Sequence, residues 1–285
     1  MTTYINPLTD FGFKRIFGNR EILTSFLNDI LPIEHKIVDI TFKNIEKLGT
    51  TEEDRKAIFD LSCKDEKGSE FIVELQRAKQ IYFQDRAIYY TTFPVQEQAQ
   101  RGRWDFKLSK IFFIGILDFS IPYFDDERYI RHGQIVDIES NKVMSETLNF
   151  IYIELTKFKK NNSEVANNLE KWLYILSNLS TLENIPNEFK NDRVIENVFD
   201  IAKYSNLSTS DRDNYDRNLK HYRDLVNSLD SAEKDGIKKG IKKGKIEAKL
   251  EIAKNLLAQN IDINIDINIV SISTGLAMEE IEKLR

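Results

Sequence analysis

Residues 58–76, IFDLSCKDEKGSEFIVELQ, can satisfy themselves in few ways. Two runs of strand length flank Glu66, Lys67 and Gly68. A three-residue hairpin loop with its glycine in the left-handed conformation commonly joins such runs. That loop pairs Asp65 with Ser69 and fixes the register behind it. Phe59, Leu61 and Cys63 then fall opposite Leu75, Val73 and Phe71, so one face is wholly apolar and belongs in a core. On the other face Lys64 meets Glu70, an expected exposed ion pair near the turn, and Asp60 meets Glu74. Directly opposed residues have Cβ atoms about 4.5–5.5 Å apart. Two carboxylates held that close repel each other unless a cation sits between them. Mg²⁺ does this well, taking one or two carboxylates together with waters and phosphate oxygens. Gln76 lies two residues on, on the same face, where it can hydrogen-bond a metal-bound water or a phosphate oxygen. Another reading stays open at this level: an Asp and a Glu simply solvated on an exposed face beside Lys64.

The surrounding pattern places this hairpin in an α/β chain. Residues 19–31, NREILTSFLNDIL, read as a helix, with Asn19 as its cap and Pro32 ending the run. Residues 36–46 alternate enough for a strand. Residues 82–100 read as a helix that Pro94 should kink or interrupt. The run KIFFIGILDF, residues 110–119, fits a strand buried on both faces. Two or three further strands are expected within 129–158, and residues 164–229 are mainly helical by pattern, LEKWLYILSNL most clearly. From about residue 230 the composition changes to GIKKGIKKGK, an amphipathic AKLEIAKNLLAQN, the near-repeat IDINIDIN, and STGLAMEEIEKL, where Ser273 or Thr274 is the expected helix cap. The ending looks loosely like a helix-turn-helix.

Charge and cysteine content exclude several classes. The net charge of −5 gives no overall signature of nucleic-acid binding. Locally it is otherwise: from Lys234 to Lys254 there are eight Lys against Asp235, Glu247 and Glu251, a net of +5. Cys63 is the single cysteine, so neither an internal disulfide nor a multi-cysteine zinc site can form. The three histidines are scattered and read as structural or surface residues. No signal-peptide core opens the chain and no apolar run is long enough to span a bilayer, so a cytoplasmic protein without membrane attachment is expected. No motif calls for an organic cofactor.

An Asp ending one strand and a Glu-x-Gln on the next, within a helix–strand–strand–strand–helix–strand order, resembles the PD-(D/E)XK nucleases. More narrowly, the chain is similar to the recombination-promoting nuclease (Rpn) family, whose members are also described as PD-(D/E)XK nuclease family transposases. The stretches that carry this are LTDFGFKRIFG with EILTSFLNDIL, FDLSCKDEKGSEFIVELQ, FQDRAIYYTTFPVQEQAQRG, and the tail GIKKGIKKGK…EIAKNLL…TGLAMEEIEKL. The likeness covers most of the chain and is weakest over 125–228. It implies a restriction-endonuclease-like α/β core, a mixed central sheet flanked by helices, with a mainly helical C-terminal part. The implied domains are a nuclease domain over 1–228 (core about 8–120, then a β and helical extension over 121–228) and a basic Gly/Lys linker with a short helical tail over 229–285.

Carried onto this sequence, the resemblance makes Asp60 and Glu74 the metal-binding acids, with the Leu75 backbone carbonyl as third ligand. Gln76 stands where the wider superfamily has its catalytic Lys, and Lys14 is a candidate replacement charge. Asp10 and Glu21 are accessory acids. Arg86 and Tyr89 are expected to face the DNA backbone, though the Tyr rings could equally pack on the sheet. The implied activity is Mg²⁺-dependent cleavage of double-stranded DNA (Mn²⁺ or Ca²⁺ being other candidate ions), tied to recombination or mobile elements. Lys238, Lys239, Lys242 and Lys243 would add non-specific phosphate contacts. The Gly236, Gly240 and Gly244 spacing suggests either a flexible linker or a helix that associates with a second copy. The competing expectation is a DNA-binding or self-associating protein with a weak or inactive site.

Overall fold

The computed structural model describes residues 3–33, 35–43, 46–47, 57–100, 102–258 and 267–284. These form two compact units, Met1–Tyr222 and Arg223–Arg285. The order is α1 (Asp10–Phe17), α2 (Arg20–Ile30), β1 (Ile40–Phe42), β2 (Glu46–Lys47), β3 (Ala57–Ile58), β4 (Leu61–Asp65), β5 (Glu70–Gln76), α3 (Phe83–Glu97), β6 (Ile111–Leu117), β7 (Ile130–Val136), β8 (Val143–Glu154), α4 (Asn168–Asn178), α5 (Arg193–Ala202), α6 (Thr209–Ala258), α7 (Ile267–Thr274) and α8 (Met278–Glu282). One mixed six-stranded sheet runs β1-β4-β5-β6-β8-β7, and β2 pairs with β3 separately.

The hairpin register is the one its loop dictates. Leu61 pairs with Val73 and Cys63 with Phe71, Asp65 N–H donates to Ser69 O at 3.0 Å, and Gly68 takes φ +93°. Asp65 locks the turn by accepting from the Ser69 and Lys67 N–H groups at 2.7 and 3.0 Å. β5 then runs parallel to β6, and β6 parallel to β8, so β5 and β6 lie in the middle of the sheet. Their apolar composition follows from that position.

Helices cover both faces of the sheet. On one, Leu61, Cys63, Phe71, Val73 and Leu75 join Phe112, Ile114 and Ile116 of β6 and the apolar stripes of α1, α2, α4 and α5. Each fully buried large side chain there contributes about 1.5–3 kcal/mol. Asn19 caps α2 through its side chain, accepting from Ile22 N–H at 3.2 Å. On the other face α3, the crossover between β5 and β6, lays Phe83 and Ala87 over Ile72, Phe113 and Leu117. Gly115 permits this close approach, because a Cβ there would lie 2.9 Å from the Phe83 ring and 3.2 Å from Tyr152.

Several expectations change. The second face of the hairpin is not solvated: Glu70, Glu74 and Gln76 are all buried. Glu70 pairs with Lys43 at 2.6 Å, not with Lys64, which is exposed. Phe59 lies on the α3 side with Tyr90 and Phe93, not on the Leu61–Cys63 side, because the chain bends at Asp60 and breaks the alternation there. The strand expected over 36–46 shortens to β1 and a separate pair member, β2. α1 joins the element order, capped by Thr9, whose hydroxyl accepts from Gly12 N–H at 3.0 Å. α3 continues through Pro94 to Glu97.

In the second unit, Gly236, Gly240 and Gly244 are helical within α6. The end of α6 packs with α7 and α8 around Ala253, Val270, Leu276 and Ile281. The cap of α8 is Ala277, not Ser273 or Thr274, and Glu280 accepts from its N–H at 3.2 Å. Thr274 instead ends α7, donating to Val270 O at 2.6 Å. Residues 261–266 of the near-repeat lie outside the described residues, and its last two, Ile267 and Asn268, open α7. Among the described residues no helix is long and apolar enough to cross a membrane.

Candidate active site

At the open end of the hairpin the ladder gives way to reciprocal side-chain bonds. Asp60 N–H donates to Glu74 Oε1 at 3.0 Å, and Leu75 N–H donates to Asp60 Oδ2 at 2.8 Å. Each carboxylate thus accepts one backbone donor from the strand that carries the other. The bend at Asp60 makes this possible by turning its carboxylate toward β5. Glu74, 5% exposed, sits opposite Gly115 of β6 and beneath α3.

The electrostatics follow from that burial. Burial pushes Asp60 upward, opposed by the Leu75 N–H and the nearby charge of Lys14. Burial, then the charge of Asp60, push Glu74 up to about 8, opposed by the Asp60 N–H, Arg86 and Lys14. The bare site therefore favours holding a proton between its two acids at neutral pH, and a cation that replaces that proton is well matched to it. An all-oxygen pair of this kind fits a hard divalent ion. Among the described residues no third His, Cys, Asp or Glu joins the two acids in a metal-binding group.

Over residues 7–232 the sequence matches the family described as PD-(D/E)XK nuclease family transposase. The chain belongs to the PD-(D/E)XK nuclease family. Its mixed six-stranded sheet flanked by helices, with a helical C-terminal part, is the α/β fold expected of that family, and membership supports a nuclease-like or transposase-associated role. No curated protein and no solved structure matches the chain.

The other residues singled out in this PD-(D/E)XK chain divide into two groups. Lys14 and Asp10 of α1 form an ion pair at 2.9 Å, and both act on the charge of Asp60, so α1 borders the site. Glu21 does not join them. It lies in the first turn of α2, 3.8 Å from Arg193 and half-exposed. Gln76 is held at both ends of its amide, donating from Nε2 to Ala78 O at 3.1 Å and accepting from Arg86 Nη2 at Oε1. Arg86 turns inward, with Nη2 3.8 Å from Glu74 Oε2. Tyr89 is exposed and stacks edge-on against Phe93. Lys238, Lys239, Lys242 and Lys243 are exposed on α6 in the second unit.

Two residues near the acids escape sequence reasoning. Tyr90, not Tyr89, lies beside Arg86, with the guanidinium 5.5 Å from its ring centroid, and its hydroxyl feels Glu74 and Asp60. Arg77, next to Gln76, acts on Asp60 and on Asp118 at the end of β6. The signal for Tyr90 was present: Phe83, Ala87, Thr91 and Pro94 form the buried stripe of α3, and Tyr90 flanks it.

Proposed function

We propose that this protein is a divalent-metal-dependent endonuclease that hydrolyses phosphodiester bonds in double-stranded DNA, in the service of recombination or a mobile element. The observation that carries the reading is the buried, mutually bonded Asp60–Glu74 pair in a PD-(D/E)XK family chain. Asp60 and Glu74 would hold the ion, Mg²⁺ or a substitute such as Mn²⁺ or Ca²⁺, with the Leu75 carbonyl as third ligand. When bound, such an ion supplies a water of lowered pKa and a polarised phosphate, and the cut is a direct hydrolysis with no covalent enzyme intermediate.

The chain's own groups do the rest. The backbone N–H donors of Asp60 and Leu75 fix one oxygen of each acid, leaving Asp60 Oδ1 and Glu74 Oε2 to face a ligand. Lys14 and Asp10 set the charge at the rim. Tyr89 and the α6 lysines add contacts to the DNA backbone, and the half-exposed Ile237 and Ile241 beside those lysines favour self-association through the tail.

Plasmid nicking tests this, with Mg²⁺ against a chelator and with Asp60→Ala beside the wild type. Divalent-dependent nicking that disappears in the variant is the expected result. A protein that binds the plasmid and never nicks it sinks the reading. That outcome would favour the second reading, a DNA-binding or self-associating protein with a weak or inactive site.

A further inference from the structure

Cleaving a phosphodiester adds negative charge to a group that already carries one, beside two acids. Such a step is helped by a cation held in place beforehand. Lys14 faces both acids, but Asp10 already pairs with it at 2.9 Å. Arg86 is held differently. Its Nη2 donates to Gln76 Oε1, its Nη1 donates to Gln80 Oε1 at 2.7 Å, and its head lies 5.7 and 5.5 Å from the Phe83 and Tyr90 ring centroids. Both hydrogen-bond partners are neutral amides, so they fix the fork without cancelling its charge. Glu74 Oε2 at 3.8 Å makes an ion pair with it that is longer than the Lys14–Asp10 pair and too long for a hydrogen bond. A guanidinium carries five N–H donors. The two amides take one each, Nε is buried without a partner, and the side chain is 27% exposed, open to an arriving anion. Gln76 keeps one Nε2 hydrogen beyond the one that Ala78 O accepts.

We propose that Arg86 is the phosphate-binding cation of this site and that Gln76 is its positioning residue. The proposal rests on the nuclease reading above. The remaining Nη donors take non-bridging oxygens of the scissile phosphate, as the planar fork suits. Gln76 braces the fork between Ala78 and the acids, and its neutrality keeps the positive charge available.

The test uses the full chain, a short DNA duplex with and without Ca²⁺, and calorimetric binding of Mn²⁺ to the DNA-free protein. In the wild type Ca²⁺ should tighten duplex binding. Arg86→Gln should bind Mn²⁺ at least as well, since a cation beside Glu74 has gone, yet lose about tenfold of the Ca²⁺-dependent gain, the size of one good charged contact. Arg86→Lys should keep most of that gain, and Gln76→Ala should lose part of it. A purely structural arginine would not move this gain while sparing Mn²⁺ binding. Should Arg86→Gln melt early, Arg86→Met, which keeps an apolar stem over Phe83 and Tyr90, takes its place with the same expectation. A folded variant with the full wild-type gain overturns the proposal alone. A wild type that binds no Mn²⁺ and shows no gain overturns the nuclease reading and this proposal with it.

Discussion

Glu74 holds its proton far above the usual carboxylate range, and this has a sign that can be measured. Its folded pKa of about 8 exceeds the ordinary 4.5. Its contribution to stability is therefore complete below about pH 4.5 and is lost as pH rises through 8. In chelator, the wild type should melt progressively earlier from pH 5 to pH 9. Glu74→Gln keeps an acceptor for the Asp60 N–H and should flatten that dependence, gaining on the order of 1–3 kcal/mol at the alkaline end. Parallel melting profiles for the two proteins would show that Glu74 is not the strained group. Cys63 tests the register on the opposite face. It is fully buried, and burial pushes its thiol up to about 12, so a thiol reagent should label it only after unfolding. Rapid labelling of the native protein would mean the hairpin is paired otherwise. The acids were legible in the sequence because one three-residue loop fixes which residues oppose which. Phe59 was not, because parity counting assumes an unbroken strand and Asp60 sits at a bend.

Among the elements, the meeting of α3 with β6 decides where Arg86 lies. Glu74, Gly115 and Tyr152 are neighbours across three adjacent strands, and only the missing side chain at Gly115 lets the Phe83 ring settle between them. Gly115→Val would drive a branched side chain into a ring already 2.9 Å from the Cβ position. Overpacking of this kind costs about 1–3 kcal/mol. Chemical denaturation should show that loss, and the shift of α3 should carry Arg86 away from Glu74, lowering the Ca²⁺-dependent gain in duplex affinity as well. Wild-type stability in Gly115→Val would mean α3 can stand off from the sheet without penalty. Long, strongly patterned elements such as α2, β5 and β6 were readable from periodicity and capping. The direction in which α3 presents Arg86 was not. A spacing of three along a helix joins Arg86 to Tyr89, but the sheet-facing stripe of Phe83, Ala87, Thr91 and Pro94 is what turns Arg86 inward beside Tyr90.

For the whole molecule the question is what a +5 segment does on a chain whose net charge is −5. Lys238, Lys239, Lys242 and Lys243 are exposed and helical, and among the described residues only Lys243 has an acidic partner close by, Glu247 at 3.7 Å. Three glycines in nine residues cost this helix roughly 1 kcal/mol each in propensity, and open space surrounds the Cβ position of every one. Such a helix gains from covering Ile237 and Ile241 with a second copy and from laying its lysines on phosphates. Each lysine that neutralises a phosphate contributes about 0.9 to the slope of log affinity against log salt. Replacing all four with Gln should therefore reduce that slope by up to about 4 and weaken binding to every duplex alike, without touching Mn²⁺ binding at Asp60 and Glu74. Deleting residues 230–285 should do the same and also lower the sedimenting mass if the tail joins two copies. The core should survive the cut, because the buried cluster that carries β5, β6 and the two acids is built from residues up to Tyr215. A salt slope and a mass both unchanged by the deletion would leave the basic helix without a role in binding DNA or a second copy.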